Sequence, residues 1–399
     1  MTDPRAFALR AFEAGVAAAN PYEAVMRHAG NLTKPSLIIA VGKAAVSMAC
    51  AALEIFPDTP CRVVTNYENA IDLAGAVVMA AGHPVPDANG AAAAEAVIAD
   101  LVAATGPILA LISGGGSALL PAPVTGITLD DKANVNAALL GVGIDIVQMN
   151  LVRQQLSRLK GGGMLRVATP NKITALILSD VVGDDLSAIA SGPTVAPLGT
   201  KAMARTVLEN ALIWDQMPAS VQQCLLGRDV NDTLPDAQNI LVGSNPISVA
   251  AMLAAVGDAS VLPQAVEGDV ADAARQICDQ AAVGVTVWGG ETTVQLNGDG
   301  RGGRNQELAL RIALEARTRG WTNWTCLQGG SDGRDGPTDA VGGLVDQGTL
   351  LRIAEAGGDI DALLDNNDSY AALDLAGDLL KVPATGTNVA DLGIMIRDA

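Results

Sequence analysis

Histidine is nearly missing from this chain, occurring only at His28 and His83. With so few imidazoles, neither a Ser-His-Asp triad nor a multi-histidine metal centre is easily assembled. Cysteine is also sparse. Cys50, Cys61, Cys224, Cys278 and Cys326 form an odd set with no CxxC pair, which excludes a disulfide framework and fits a reduced, cytoplasmic setting. Cations are outnumbered, 25 Lys and Arg against 43 Asp and Glu, for a net charge of −18. Such a field repels phosphodiester backbones and excludes nucleic acid as a partner. An anionic ligand would need cations gathered locally, or a metal ion. No uninterrupted apolar run reaches the length of a membrane span, and Met1 to Asn20 carries Arg5, Arg10 and Glu13 in an alanine-rich helical pattern. Neither a transmembrane helix nor a secretory leader is expected. Aromatic residues make up only 3% of the chain, so its core is built of small side chains.

What is abundant is apolar and flexible: 49% hydrophobic residues and 43 glycines in 399 positions, enough for two or three folded domains. Short apolar runs recur at Leu37 to Val41, Arg62 to Thr65, Ala76 to Ala80, Ile108 to Ile112 and Ile173 to Leu178. Helical segments such as Ala44 to Ile55 and Ala91 to Ala104 lie between them. This alternation predicts a doubly wound α/β sheet that binds ligands at the carboxyl ends of its strands. A second set is expected at Ile240 to Val242, Val283 to Trp288, Thr292 to Leu296 and Thr325 to Leu327, with helices at Asp269 to Ala281 and Arg304 to Ala316. The polar stretch Leu226 to Asp236 reads as the boundary between domains at 1–230 and 237–399, with the last strand free to return to either.

Several segments carry groups suited to anions. Val41-Gly42-Lys43-Ala44-Ala45 follows a strand and opens a helix, so Lys43 can reach over the sheet edge; it has neither the GxxxxGK nor the GxGxxG spacing. Ser113, Gly114, Gly115, Gly116 and Ser117 follow another strand, where free backbone N–H groups can form an anion nest; a flexible turn is the alternative. Asn150, Arg153, Ser157 and Lys160 recur at helical spacing, forming either an anion-binding stripe or a solvated face. Asp180 ends a strand and is placed to hold Mg2+ or take a proton, while Asp184 and Asp185 also fit as helix caps.

Arg304 opens a helix after a glycine pair, where guanidinium and helix N-terminus can face an anion, with Glu307 as an alternative capping partner at the third helical position. Asp332 lies in the glycine-rich loop Gly329 to Asp339, either a Mg2+ or phosphate loop or a plain turn. His83 is read as ordering its own loop.

Taken in order, VGKAA, GHPVPD, SGGGSALL, NLVRQQLSRLKGG, SDVVGDDLSAIASGPT, GGETTV, GRNQE, SDGRDGPTDAVG and TGTNVADL resemble the bacterial glycerate 2-kinase family, whose second domain is the MOFRL domain and some of whose members carry the label hydroxypyruvate reductase. The resemblance covers about Ala6 to Ile396. It implies a Rossmann-like parallel-sheet domain, a MOFRL α/β domain with a mixed sheet, and a site in the cleft between them. It also implies ATP- and Mg2+-dependent phosphorylation of the 2-hydroxyl of D-glycerate; assembly into a homo-oligomer is left open by the sequence. Lys43 and Arg304 match positions the family uses for catalysis. Asn66 to Asn69 and Gln155 depart from the family pattern. With Asp180 as proton acceptor or Mg2+ ligand, Asp332 as a second Mg2+ ligand, Ser113 to Ser117 around ATP phosphate, and Arg153, Ser157 and Lys160 around substrate, the set is complete. Its rivals are an NAD(P)H-dependent hydroxypyruvate reductase and a non-catalytic binder of small organic acids.

Overall fold

Five of the apolar runs become strands: β1 (Leu37–Val41), β2 (Cys61–Asn66), β3 (Ala76–Ala81), β4 (Ile108–Ile112) and β5 (Ile173–Leu178). A sixth, β6 (Ala237–Gly243), completes their sheet in the order β3-β2-β1-β4-β5-β6. The registers from β3 through β5 are all parallel. Every residue of β1 and β4 is buried, as befits central strands covered on both faces and explains why their sequences are continuous apolar runs. Helices Ala45–Ile55 and Ala88–Ala103 supply crossovers, and the second starts where Asp87 accepts the Gly90 N–H at 2.8 Å. Successive strands run outward from β1 to β3 and then jump back to β4, so the direction of winding reverses between β1 and β4. This is the doubly wound, Rossmann-like arrangement.

The remaining strands are β7 (Ser260–Val261), β8 (Val266–Asp269), β9 (Gly284–Thr293), β10 (Trp324–Gly330), β11 (Gly342–Asp346), β12 (Leu379–Leu380) and β13 (Asp391–Arg397). Their order is β12-β11-β10-β13-β9-β7, with β8 also on β9. The sheet is mixed: β9 to β12 pair antiparallel through β13, while β7 and β8 run parallel to β9. One apolar cluster joins helices Val270–Gln280 and Arg304–Thr318 through Ala274, Ile277, Leu308 and Ile312. A separate one joins helices Pro4–Ala18 and Asn245–Val256 through Phe12 and Met252. The approach there demands small residues: a Cβ on Gly15 would lie 2.7 Å from Met252 Cγ, and one on Gly329 3.2 Å from the Phe12 ring.

In this computed structural model, which describes residues 3–229 and 233–398, the chain divides into a parallel-sheet unit of residues 21–179 and 184–242 and a mixed-sheet unit of residues 1–20, 180–183 and 243–399. The boundary differs from the one expected at 230–237, whose first residue, Val230, lies outside the described residues. Ile240 to Val242 joins the parallel sheet instead of opening the second set. Polar composition over 226–236 reads as a boundary, part of which lies outside the described residues, whereas the backbone pairing of β6 decides which unit it joins. The N-terminal helix belongs to the mixed-sheet unit. The runs Val283 to Trp288 and Thr292 to Leu296 fuse into the single strand β9, since Gly289 and Gly290 stay extended and paired with β13. No helix among the described residues is long and apolar enough to cross a membrane.

Candidate functional site

The loops after β1 and β4 meet where the winding reverses. Gly42 (φ +123°) takes a backbone that L side chains rarely adopt, and a Cβ there would lie 2.1 Å from Ser113 Oγ. Ser113 N–H donates to the Val41 carbonyl at 2.9 Å, Lys43 N–H to the Gly114 carbonyl at 2.9 Å, and Ala44 N–H to Ser113 Oγ at 3.1 Å. The Ser113 hydroxyl thus latches the two loops together. Gly115 (φ +85°) turns the chain into the short helix Gly116–Leu119. Among the described residues, the amide N–H groups of Gly114, Gly115, Gly116 and Ser117 donate to no backbone carbonyl. Such a run of free N–H groups is an anion-binding concavity.

Lys43 and His83 stand over this nest. A Cβ on Gly115 would meet His83 Nε2 at 3.1 Å and Lys43 Cε at 3.3 Å. Burial and the neighbouring Lys43 charge lower the His83 pKa below its ordinary value, against Glu68, so the imidazole is neutral beside a cation. Asn69 Nδ2 donates to the Lys43 carbonyl at 3.0 Å and to Asn66 Oδ1 at 2.9 Å. The segment Asn66 to Asn69 thus braces the Lys43 backbone. His83 does more than order its own loop; the missed signal is its position just past β3, the neighbour of β2 on the same sheet edge.

The expected helical stripe is broken. Helix Ile146–Gln155 ends before Ser157, because residues 156–158 leave it to pair with 122–124: Val124 N–H donates to the Leu156 carbonyl at 3.3 Å and Arg158 N–H to that of Ala122 at 2.8 Å. Ser157 Oγ donates to the Pro121 carbonyl at 3.2 Å. Arg153 donates to Asn136 Oδ1. Lys160 nonetheless reaches the nest from its turn, donating to Ser117 Oγ at 2.8 Å, and Ser117 Oγ lies 2.9 Å from Ser191 Oγ, which donates to Asn150 Oδ1 at 3.3 Å. Burial, with the nearby Lys132 and Arg153 charges, holds the Lys160 ammonium well below the usual lysine range. Ser191 was not anticipated. It is presented by Ala190 (φ 50°), itself (φ 59°) and Gly192 (φ 65°), consecutive left-handed residues of the kind that collect where geometry is dictated by function.

Asp180 lies two residues past the end of β5 and is half-buried. Asp185 accepts from Ser187 N–H at 2.8 Å and Ser187 Oγ at 2.7 Å, a local turn role. Asp184 adopts φ 55°, and its Oδ1 is buried with no hydrogen-bond partner.

In the mixed-sheet unit Arg304 is enclosed by acids. Its Nε and Nη2 bind Asp391 at 2.7 and 3.1 Å, and Nη1 binds Glu291 at 2.9 Å. Burial opposes the charged guanidinium, but Asp391 and Glu291 outweigh it and raise its pKa. Burial in turn pushes Asp391 up to about 6, against the pull of Arg304. The N-terminus of the Arg304 helix is already occupied: Asp335, not a ligand, accepts the N–H groups of Asn305 and Gln306 at 3.1 and 2.8 Å. Glu307 falls one position later than expected, is buried, and binds Arg311 at 2.6 Å instead of capping. Asp332 accepts from Arg334 N–H at 3.0 Å. It shapes the loop whose buried carboxylate is Asp335. No group of three His, Cys, Asp or Glu placed to hold a metal occurs among the described residues.

Two family models match the chain: a domain of unknown function (DUF4147) over residues 7–226, and the MOFRL family over residues 284–391. A glycerate 2-kinase of Pyrococcus horikoshii is 36% identical, covering 99% of this chain and 97% of its own. A protein of Agrobacterium vitis provisionally named a hydroxypyruvate reductase is 39% identical, covering 96% and 92%. The crystal structure of a glycerate kinase from Thermotoga maritima superposes with a TM-score of 0.92 at 34% identity, covering 98% of this chain and 99% of that one. With full-length identity at this level and a shared fold, the chain belongs to the glycerate 2-kinase family of enzymes.

Proposed function

We propose that the chain transfers the γ-phosphoryl group of ATP to the 2-hydroxyl of D-glycerate, giving 2-phosphoglycerate and ADP in the cytoplasm, where its five free thiols stay reduced. The observation that carries this reading is the nest at the winding reversal, where free N–H groups of Gly114 to Ser117 lie under Lys43 and beside Lys160. Phosphoryl transfer needs positioning and charge stabilisation more than covalent help from the protein, and this is a surface of fixed donors and cations. The N–H groups and Ser117 cradle ATP phosphate. Lys43 lies over them and stabilises the charge that spreads over the transferring group. Arg304, held charged and aimed by Asp391, acts on that phosphoryl group or on the glycerate carboxylate. Arg153 and Lys160 contact anionic oxygens, and Asp180 accepts the proton of the attacking hydroxyl or holds the metal.

Mg2+ is usually held by one or two carboxylates and the substrate phosphates, so a three-carboxylate cluster is not required. The orphaned, buried Asp184 Oδ1 fits such a hard cation, four residues beyond Asp180. When bound, Mg2+ would neutralise phosphate charge.

The name of the Agrobacterium vitis relative favours one second reading, a nicotinamide-dependent reductase of hydroxypyruvate. The turn after β1 reads Val41-Gly42-Lys43-Ala44-Ala45, without the GxGxxG that seats a pyrophosphate. Purified protein given ATP, Mg2+ and D-glycerate, with NADH and hydroxypyruvate in parallel, separates the two. The expected result is ADP release requiring D-glycerate and metal, with a product that enolase consumes directly. A product that enolase accepts only after phosphoglycerate mutase is added overturns the 2-position; NADH oxidation without ADP release overturns the kinase. No turnover in either assay favours a binding protein.

A further inference from the structure

We propose that Lys132, a residue outside every motif singled out above, joins Arg153 and Lys160 in one receptor for a doubly charged oxyanion. The inference shares Arg153 and Lys160 with the proposed kinase site but rests on its own observation, a cluster of cations with no counter-charge.

Three segments contribute. Lys132 comes from helix Leu129–Gly141, Arg153 from helix Ile146–Gln155 and Lys160 from the turn after it. All of their hydrogen-bond partners are neutral. Lys132 Nζ donates to the carbonyls of Pro121 at 2.7 Å and Leu156 at 3.2 Å, Arg153 to Asn136 Oδ1, and Lys160 Nζ to Ser117 Oγ at 2.8 Å. Several nearby acids have other partners or face solvent. Asp131 accepts Thr128 N–H and Ser220 Oγ, each at 2.9 Å; Glu95 pairs with Arg158; Asp185 binds Ser187; Asp130 is exposed. Half-buried arginines elsewhere among the described residues do find acids: Arg5, Arg304 and Arg352 each bind two.

Cations withdrawn from water and crowded together repel one another, and the cheapest relief in the empty protein is to release protons. Burial and Arg153 bring the Lys132 ammonium down to about 7, and burial, Lys132 and Arg153 hold Lys160 well below its ordinary value. A bound dianion supplies the missing counter-charge, favours the protonated lysines and so takes up protons. Lys132 also ties the segment after the glycine nest, at Pro121, to the end of the Arg153 helix, at Leu156.

Sulfate is the decisive probe, because it is doubly charged near neutral pH, carries no titrating proton of its own and needs no turnover. Titration calorimetry of the full chain with sulfate at pH 8 would be run in two buffers of different ionisation enthalpy. The expected heats differ in the sense of about one proton taken up per sulfate. Lys132→Met should weaken sulfate binding about 10- to 100-fold and reduce the uptake. Lys132→Arg, which keeps a permanent charge, should retain binding with less uptake, and stands as the test if the methionine variant does not fold. Equal heats in both buffers, or unchanged affinity and uptake in both variants, would overturn the receptor. Sulfate binding with proton uptake in a protein that lacks glycerate kinase activity would keep the receptor and remove the kinase reading.

Discussion

The cations assigned to the candidate site meet opposite surroundings in the two units. In the parallel-sheet unit Lys43 forms no ion pair among the described residues, and Lys132, Arg153 and Lys160 bind only neutral oxygens. In the mixed-sheet unit Arg304 is held by Asp391 and Glu291, and Arg352 by Asp346 and Asp378. An uncompensated cation is a vacancy for an anion, whereas a compensated guanidinium is fixed in place and already partly neutralised. The difference teaches that counting cations does not locate an anion site; counting cations without acids does.

Removing one proposed catalytic charge from each unit breaks the comparison most severely. Lys43→Ala and Arg304→Ala are each expected to lower turnover by about 10³ to 10⁵, the range for a cation that stabilises a transferring phosphoryl group. Steady-state ADP release on folded variants checks this, and a loss below tenfold at either position would remove it from the chemistry.

The comparison sharpens at Asp391, which should act only through Arg304. As pH falls through about 6, Asp391 takes a proton and its grip on Arg304 is lost, so activity should fall on the acid side. Asp391→Asn should lower turnover at neutral pH by about 10- to 100-fold and flatten that acid limb. A pH profile identical to that of the parent would leave Asp391 with a packing role only.

The smallest effect belongs to the nest. Gly115→Val places a branched side chain at φ +85°, about 3.0 Å from the His83 ring, in a backbone region that costs an L residue roughly 1 to 2 kcal/mol. ATP binding should weaken about tenfold while glycerate binding changes less. Equal changes for both ligands, measured by KM and direct titration, would assign the loop to structure.

The parallel sheet was legible because β1, β4 and β5 are apolar runs punctuated by glycine turns, and their ends match the expected ends. The segment 156–160 was misread because helical spacing continues past Gln155 while tertiary pairing with 122–124 ends the helix. Lys43, the glycine nest and Lys160 were visible as motifs. Ser191 and Lys132 were not, since nothing in their local spacing shows that long-range contacts deliver them to Ser117 and Pro121. Arg304 was visible as a cation, but its acids come from Glu291 and Asp391, at sequence distances that no local pattern spans.

The N-terminal helix Pro4–Ala18 packs in a unit whose other elements begin only at Gly243. During synthesis it therefore emerges first and finds its partners last. At a ribosomal pace of ~5 to 20 residues per second, the roughly 220 intervening residues take about 10 to 45 s, during which the apolar face bearing Ala8, Ala11 and Phe12 has no native neighbour. The parallel-sheet unit is complete before Met252, Gly329 or Leu392 is made. A nascent chain stalled near position 240 would thus carry one finished unit and one orphaned amphipathic helix, and that helix is the segment a chaperone would find.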